Sequence, residues 1–401
     1  MAEATVMRIM SRLVWCLILA TFTSSASAQS RDVTGTVFVD QNGNGTQDAG
    51  ERGLANVMVS NQDAVAVTDN AGAFHLPPSP TGVVFVSVPN GYRSTGKFWK
   101  AVGDNNIPVS FGLAVAAATT TFQFVHASDT HIAPASVERT RRLRTIVDSI
   151  KPAFTIIAGD LVKDALRVGE AEARSYYDLF ATETGLFKTP VFTVPGNHEN
   201  FGIETALSHV DPKNPLFGRA MYHHYFGPDY YSFTTNGMHF IGLNTVDIDG
   251  TSYYGHVDSL QLAWLARDLE HVPAAMPIVT FDHIPFVSSY FQLTGFDSGP
   301  PAPSLITVNG KTDYRHTVSN AQEVLTLLRK HKLVLALGAH IHVHEKIVYE
   351  IDGVPTRFET SAAIVATTRL PTMSFPSGLT LYTVRAGVVD SGRFIPLGLP
   401  K

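Results

Sequence analysis

The chain has 401 residues, of which 44% are hydrophobic and 16% are charged, so it is long enough to form about two or three globular domains. Its formal net charge of -5 excludes a broad basic surface of the kind that binds nucleic acids nonspecifically. We therefore expect no obligatory nucleic-acid partner.

The first 28 residues have the features of a secretory signal peptide. Arg8 and Arg12 precede the apolar run LVWCLILATF, and Ala26-Ser27-Ala28 forms a small-residue cleavage pattern. We predict cleavage after Ala28 and export to the periplasm or the exterior. The alternative is an uncleaved anchor helix, for which the run is short. Cys16 is the only cysteine and lies within the run, so the processed chain forms no disulfide. No later stretch is apolar enough to span a membrane.

Residues 29–113 predict a small all-β sandwich domain. Short alternating segments such as TGTVFVD and GVVFVSVP are separated by Gly, Asn, Asp and Pro clusters, and no helical period is present. The stretch 114–121 that follows is rich in small residues and has no periodic pattern. It is predicted to be a linker between two domains.

The segment DQNGNGTQDAGE in this first region has the spacing of a calcium-binding loop. Its candidate oxygen ligands are Asp40, Asn42, Asn44, Thr46, Asp48 and Glu51. Gly45 supplies the glycine of the turn. The stretch from this segment through Gly53-Leu54-Ala55 and Thr68-Asp69 to Gly72-Ala73-Phe74 resembles the calcium-binding B-type repeats of bacterial surface proteins. A polar Asn/Gly turn without a metal is the alternative.

From residue 122 to residue 401 strands alternate with amphipathic helices, which predicts a layered α/β core. Apolar runs such as TFQFVHAS, PAFTIIAG and KLVLALGA alternate with helical segments such as VDSLQLAWLARDLEHV. Further strand pairs, including YYSFTTNGMHFIGLNT, widen this core into a sheet packed on a sheet. We expect a layered β-sandwich flanked by helices.

Polar side chains follow five of these apolar runs, where each strand is expected to end. They are Asp129, His131, Asp160, Asn197, His198, His283, His340 and His342. Each residue alone is typical of a helix cap, a turn or a packed histidine. Because the carboxyl ends of strands converge on one crevice, the whole set is costly to bury without a cation. The sequence therefore predicts a metal site.

The order of these motifs resembles that of the calcineurin-like metallophosphoesterases over residues 122–385, and the N-terminal region is similar to β domains found ahead of some phosphoesterases. The motifs are Asp129-Thr130-His131, Gly159-Asp160, Gly196-Asn197-His198-Glu199, Phe281-Asp282-His283-Ile284-Pro285 and His340-Ile341-His342.

The resemblance implies a role for each ligand. Asp129, His131 and His342 would bind a first metal ion, and Asn197, His283 and His340 a second. Asp160 would bridge both, and His198 would be a catalytic acid. The implied reaction is hydrolysis of a phosphate-ester substrate by a hydroxide that bridges the two ions. The mixed ligands suit Mn, Fe, Zn or Ni.

The sequence differs from the motifs of the family or of its subgroups at three places, which limits which members it resembles. Ala339 precedes His340 where the family usually has glycine, although Gly338 lies one place earlier. Lys163 stands where purple acid phosphatases have a tyrosine ligand, so that iron site is not expected. The continuation Leu161-Val162-Lys163-Asp164 does not match calcineurin-type protein phosphatases.

Two alternatives to a general phosphoesterase stay open. One is a phosphodiesterase that acts on cyclic nucleotides, nucleic-acid ends or lipid head groups. The other is a calcium-dependent surface-binding module with an idle catalytic fold, which the complete ligand set disfavours. Segments 202–228 and 286–316 are long enough to be substrate-facing lids. Five further histidines are weaker candidates for the site: His126, His223, His224, His256 and His344.

Overall fold

The computed structural model describes residues 32–102, 107–117, 119–299, 302–351, 353–370 and 373–399. The predicted signal peptide and its cleavage after Ala28 lie outside the described residues. Among those that are described, no helix combines the length and the apolar character needed to cross a membrane.

The regular elements of the N-terminal region, in the residues that are described, are all strands. They are β1 (Val33–Val39), β2 (Met58–Ser60), β3 (Val65–Val67), β4 (Ala73–Leu76), β5 (Val83–Val86), β6 (Tyr92–Ser94), β7 (Trp99–Ala101) and β8 (Val109–Val115). One sheet has the order β4-β1-β8-β6 and the other β3-β2-β5-β7. Val37, Val59 and Phe111 share one buried core, so inward-facing apolar residues of both sheets hold the region together. The prediction of an all-β region is confirmed.

The rest of the chain alternates strands with a few helices. Its elements are β9 (Thr121–Ala127), α1 (Val137–Ile150), β10 (Phe154–Ala158), α2 (Glu170–Thr184), β11 (Val191–Val194), α3 (Thr205–Ser208), α4 (Ala220–Phe226), β12 (Tyr231–Thr235), β13 (Met238–Gly242), β14 (Val246–Asp249), β15 (Ser252–Gly255), α5 (Ser259–Leu269), β16 (Pro277–Phe281), α6 (Tyr290–Thr294), β17 (Leu305–Val308), β18 (Lys311–Tyr314), α7 (Ala321–Leu328), β19 (Lys332–Gly338), β20 (Glu345–Ile351), β21 (Val354–Thr360), β22 (Thr368–Arg369), β23 (Ser374–Phe375), β24 (Gly378–Arg385), β25 (Val388–Val389) and β26 (Arg393–Pro396).

Two mixed sheets of six strands form the layered core. Their orders are β11-β10-β9-β24-β25, with β26 also paired to β24, and β12-β13-β16-β19-β21-β20. Phe124 of β9 meets Phe240 of β13 edge to face, with ring centroids 5.4 Å apart, so the sheets pack face to face. Leu143 of α1 and Tyr177 of α2 cover the outer face of the first sheet. The predicted sandwich flanked by helices is confirmed.

The parallel strands explain why the apolar runs are continuous. All five residues of β10 are buried, as expected for a strand that is covered on both faces. Strands β9, β10 and β11 are parallel neighbours, and so are β13, β16, β19 and β21. The polar motifs follow the carboxyl ends of β9, β10, β11, β16 and β19, which brings them to one edge of the sandwich.

The N-terminal sandwich packs tightly on this core. Phe85 of β5 contacts Trp264 of α5, with ring centroids 6.3 Å apart. Trp99 lies so close to Gly227 that a Cβ there would come within 2.2 Å of the indole ring. Gln62 Nε2 donates to Asp229 Oδ1 at 2.7 Å. The two regions therefore share a buried face. Strand β8 ends at Val115 and β9 begins at Thr121, so the connection between the regions is short.

Candidate metal centre

The structure brings all seven predicted metal ligands together. The ligand atoms form two groups, in each of which all atoms lie within 4.8 Å of one another. The first group contains Asp129, His131, Asp160 and His342, and the second contains Asp160, His283 and His340. Asn197 adds its Oδ1 at 3.3 Å from Nε2 of His283. The two groups therefore share Asp160, as a bridging ligand requires.

The backbone at these positions is in the left-handed region. Positive φ angles occur at twelve non-glycine residues among those described, and five of these are predicted ligands. They are Asp129 (52°), His131 (37°), Asp160 (48°), His340 (70°) and His342 (57°). Such backbone is unfavourable for residues with a Cβ and concentrates at functional sites. Here it turns the side chains that follow each strand toward a common centre.

Two glycines permit the close approach of the ligands. A Cβ at Gly159 would lie 2.4 Å from Nδ1 of His283, and one at Gly196 would lie 2.2 Å from Oδ1 of Asp160. Both distances are too short for any side chain. The departure from the family pattern at Ala339 is accommodated, because Ala339 is fully buried and its N–H donates to the carbonyl of His283 at 2.8 Å.

Hydrogen bonds direct the ligand atoms toward the centre. His283 uses Nδ1 to donate to the carbonyl of Ala158 at 2.9 Å, so its Nε2 faces Oδ2 of Asp160 at 3.2 Å. Ser128 donates to Oδ2 of Asp129. The other oxygen of Asp129 faces Nε2 of His342 at 3.1 Å. Nε2 of His131 is buried without a hydrogen-bond partner. A buried polar atom without a partner is costly, and a divalent cation would satisfy it.

The pKa values of the clustered side chains also favour a bound cation. Burial alone would raise the pKa of Asp160, but the imidazoles of His283 and His198 outweigh it and hold that pKa well below its usual range. Burial alone would lower the pKa of His283, but Asp160 outweighs it and raises that pKa to about 10. In contrast, burial lowers the pKa of His131 to about 4. His131 is therefore neutral, with a lone pair available for a metal ion.

Glu199 organises the loops that carry the ligands, a role that the sequence did not reveal. Its carboxylate is 1% exposed and accepts the N–H groups of Asp160, Val162 and Gly196 at 3.0, 3.0 and 2.6 Å. Burial, followed by the nearby charge of Asp160, raises the pKa of Glu199 to about 8, against the effect of the backbone donors. The only indication of this role in the sequence is that Glu199 ends the motif Gly196-Asn197-His198-Glu199.

His198 lies beside both groups without belonging to either. Its Nε2 is 3.9 Å from Oδ2 of Asp160, and its Nδ1 is 3.7 Å from Oδ1 of Asp164. Its backbone N–H donates to Oδ1 of Asp160 at 3.1 Å. The ring packs edge-on against His131, and 21% of the side chain is exposed. This position suits proton transfer to a bound molecule better than coordination of a metal.

Five of the seven predicted ligands line an open cavity of about 300 Å³. Its walls are His131, Asp160, Asn197, His198, Tyr253, Tyr290, His316, His340, Ile341, His342 and Thr368. Tyr290 and His316 come from the predicted lid 286–316, whereas the segment 202–228 contributes none of these walls. Tyr253, His316 and Thr368 had no recognisable motif in the sequence.

A larger cavity, of about 750 Å³, lies between the N-terminal region and the core. It is lined by side chains such as Phe98, Phe192 and Phe233, and it contains none of the predicted site residues. Cavity size therefore does not mark the metal centre, whereas the chemistry of the side chains does.

The five weaker histidine candidates do not line the 300 Å³ cavity. His256 pairs with Asp247 at 3.0 Å, and His223 pairs with Asp229 at 3.0 Å. These two histidines therefore pair with carboxylates outside the metal centre.

The predicted calcium loop satisfies its own polar groups. Asp40 accepts the N–H groups of Gly43 and Gly45 at 2.7 and 2.8 Å. Asp48 accepts side-chain amides from Asn42 and Asn44, each at 2.7 Å. The two oxygens of Glu51 accept the N–H groups of Gln41 and Asp48 at 2.8 and 3.0 Å. Within the described chain, the compact groups of three or more charged ligands lie only at the strand ends, so calcium binding here stays a prediction.

Comparison with known families agrees with this geometry. Residues 122–344 match the family described as Calcineurin-like phosphoesterase, and residues 41–114 match the one described as N terminal of Calcineurin-like phosphoesterase. The first match alone covers more than half of the chain. No curated protein matches the sequence.

Similar solved structures are distant in sequence. A dimetal phosphatase from Danio rerio is 15% identical, over 69% of this chain and 99% of that one, with a TM-score of 0.43. GAP50, described as the anchor in the inner membrane complex of Plasmodium, is 13% identical, over 69% of this chain and 85% of that one, with a TM-score of 0.40. At these values the similarities carry no conclusion about activity.

Proposed function

This chain belongs to the calcineurin-like phosphoesterase family, and we propose that it hydrolyses phosphate esters with a pair of divalent metal ions. The observation that carries the proposal is the pair of ligand groups that share Asp160. The buried Nε2 of His131, which has no hydrogen-bond partner, supports it, because a centre built for hydrogen bonding alone would satisfy that atom.

The grouping of the side chains supports the division of ligands that the family resemblance implies. Asp129, His131 and His342 would hold the first ion, and Asn197, His283 and His340 the second, with Asp160 between them. Imidazole, carboxylate and amide ligands together suit Mn, Fe, Zn or Ni. When bound, two such ions neutralise charge on the phosphoryl oxygens and lower the pKa of a water molecule held between them.

The chain's own residues would then place and protonate the substrate. His198 reaches the cavity beside Asp160 and has Asp164 behind its other nitrogen, so a protonated ring would be oriented with one N–H toward the substrate. We assign it as the general acid that protonates the departing oxygen. Tyr253 also lines the cavity, and its ring would limit how the substrate can lie.

Export and calcium binding are two further parts of the proposal. Export rests on the signal-peptide features of residues 1–28. Calcium binding rests on the ligand spacing from Asp40 to Glu51. Hydrolysis requires neither, because the predicted metal ligands all lie after residue 122.

The test is a screen of the full chain, stripped of metal and reconstituted separately with Mn²⁺, Fe²⁺, Zn²⁺ or Ni²⁺. Each form is assayed with a panel of phosphate monoesters and diesters, including p-nitrophenyl phosphate and bis(p-nitrophenyl) phosphate. We expect turnover with at least one metal and none in the metal-free protein. Asp249→Asn, at an exposed hairpin turn, is the matched control for changes of aspartate within the centre. Lack of turnover with every metal and every ester would refute the proposal.

A further inference from the structure

His316 lies against the predicted metal ligand His340. Nδ1 of His316 is 2.7 Å from Nε2 of His340. The two rings are stacked, with an interplanar angle of 29° and centroids 5.0 Å apart. On its other side, Nδ1 of His340 is 3.2 Å from Nε2 of His283. His340 therefore directs one nitrogen into the metal centre and the other at His316.

This arrangement determines which nitrogen of each ring carries a proton. A neutral imidazole has one N–H, so an Nδ1 that binds a metal ion leaves the proton on Nε2. The Nε2–H of His340 then donates to Nδ1 of His316, which accepts. A partner of this kind fixes the orientation of a metal-binding histidine and increases its basicity.

The segment that carries His316 is held firmly in place. Backbone N–H groups on both sides of it, those of Arg315 and Val318, donate to the carbonyls of Ser304 and Pro285, each at 3.0 Å. The carbonyl of Thr317 lies where a Cβ of Gly255 would be, 2.1 Å away. The segment can pack this closely only because residue 255 is glycine.

Tyr253, which Arg315 contacts, encloses His340 on a second side. Tyr253 meets its ring edge-on, with centroids 5.8 Å apart. The guanidinium of Arg315, which is 4% exposed, lies 4.3 Å from the centre of the Tyr253 ring. Arg315 and His316 directly follow the hairpin of β17 and β18. Arg315 contacts Tyr253, and His316 contacts His340.

We propose that His316 is a positioning residue, which accepts the Nε2 proton of His340 and so holds Nδ1 of that ligand toward the second metal ion. The inference rests on the proposed function, because it takes His340 as a ligand. It goes further in assigning part of the metal affinity to His316, which lies 24 residues before His340, in the segment directly after the hairpin of β17 and β18.

Two substitutions separate the hydrogen bond from the packing. His316→Phe keeps an aromatic ring for stacking on His340 but has no acceptor. His316→Gln has no ring but keeps an acceptor oxygen. His271→Leu removes an exposed histidine far from the cavity and is the matched control. Metal-free, full-length proteins are titrated with Zn²⁺ in competition with a chromophoric chelator, which gives both dissociation constants.

In His316→Phe we expect one of the two dissociation constants to rise by roughly 10- to 100-fold, with the other nearly unchanged. His316→Gln should restore most of the loss, and His271→Leu should match wild type. Melting curves of the metal-free proteins show whether each variant folds, and His316→Leu replaces the Phe variant if that one does not.

Two results would overturn the positioning role. The first is wild-type affinity for both ions in His316→Phe, and the second is a loss in His316→Gln as large as in the Phe variant. Failure of the proposed function is distinguishable, because the wild-type protein itself would then bind fewer than two ions or hydrolyse no ester.

Discussion

The chain has two candidate cation sites that are built in opposite ways. At the strand ends, the proposed ligands Asp129 and Asp160 are buried and have left-handed backbone, and Nε2 of the proposed ligand His131 has no hydrogen-bond partner. In the loop from Asp40 to Glu51, the backbone and amide groups of the loop already satisfy the carboxylates, and most of the residues are exposed.

The difference shows that suitable ligand spacing does not by itself make a site dependent on a metal ion. Carboxylates and imidazoles that are buried together are costly without a compensating cation, so we expect the stability of the strand-end site to depend on bound cations. The loop already has its hydrogen bonds, and an ion there would add stability without being required. Removal of metal should therefore have large effects on the first site and small effects on the second.

The largest effect is expected from Asp160→Asn, because Asp160 belongs to both ligand groups. The asparagine side chain is a neutral amide, so it lacks the negative charge that would attract the two ions. We expect kcat/KM to fall by about a thousandfold or more and metal content to fall from two ions to one or fewer. Kinetics and mass-spectrometric metal analysis measure the two quantities, with Asp249→Asn as control. Full activity of the purified variant would show that Asp160 is only a structural residue.

His198→Ala should impair catalysis selectively. A basic alkoxide needs a proton as it departs, whereas a nitrophenolate leaves unaided. With an alkyl phosphate the rate should fall roughly hundredfold to ten-thousandfold, and with p-nitrophenyl phosphate clearly less. Both substrates are measured at equal metal occupancy. Equal losses would mean that His198 holds the phosphoryl group rather than supplying a proton.

Chelation of the transition metals should destabilise the whole chain. Ions that bind only the folded state contribute about 4 kcal/mol when they are present at a thousand times their dissociation constant. We therefore expect a lower urea midpoint after dialysis against a chelator and full recovery when metal is added back. An unchanged midpoint would remove the argument that the buried ligands require cations.

The smallest effect is expected from calcium at the N-terminal loop. For a dissociation constant typical of extracellular calcium modules, millimolar calcium contributes less than about 1.5 kcal/mol. The melting temperature of the full chain should rise slightly with calcium, and Asp40→Ala should abolish that rise relative to its own calcium-free baseline. Hydrolysis should not change. If wild type shows no shift, the loop is a polar turn that satisfies itself.

The sequence was sufficient for the features that are local or periodic. The two sandwiches follow from alternating and continuous apolar runs. The polar residues directly after five strands predict a metal site, whereas the assignment of seven of them as ligands rests on the resemblance to the family. Left-handed φ angles at residues such as His340 and His342 could not be read from the sequence, because they are imposed by the convergence of five strand ends.

Features that depend on tertiary packing were missed. His316 is 24 residues from the ligand that it contacts, in a segment with no motif. Nothing in the sequence distinguishes Gly255 from other glycines, although the close packing of Thr317 requires a glycine there. The expected linker did not reveal that Phe85 and Trp99 join the core of the second region, because a strand's alternation does not show which partner its buried face meets.

The central claim is that the strand ends hold two ions on either side of Asp160. Anomalous diffraction from crystals of the full chain grown with Mn²⁺, collected on both sides of the manganese edge, tests it directly. The account predicts two peaks roughly 3.5 to 4 Å apart, one beside Asp129, His131 and His342 and the other beside Asn197, His283 and His340. A single peak, or none at this site in crystals with manganese bound elsewhere, would contradict it.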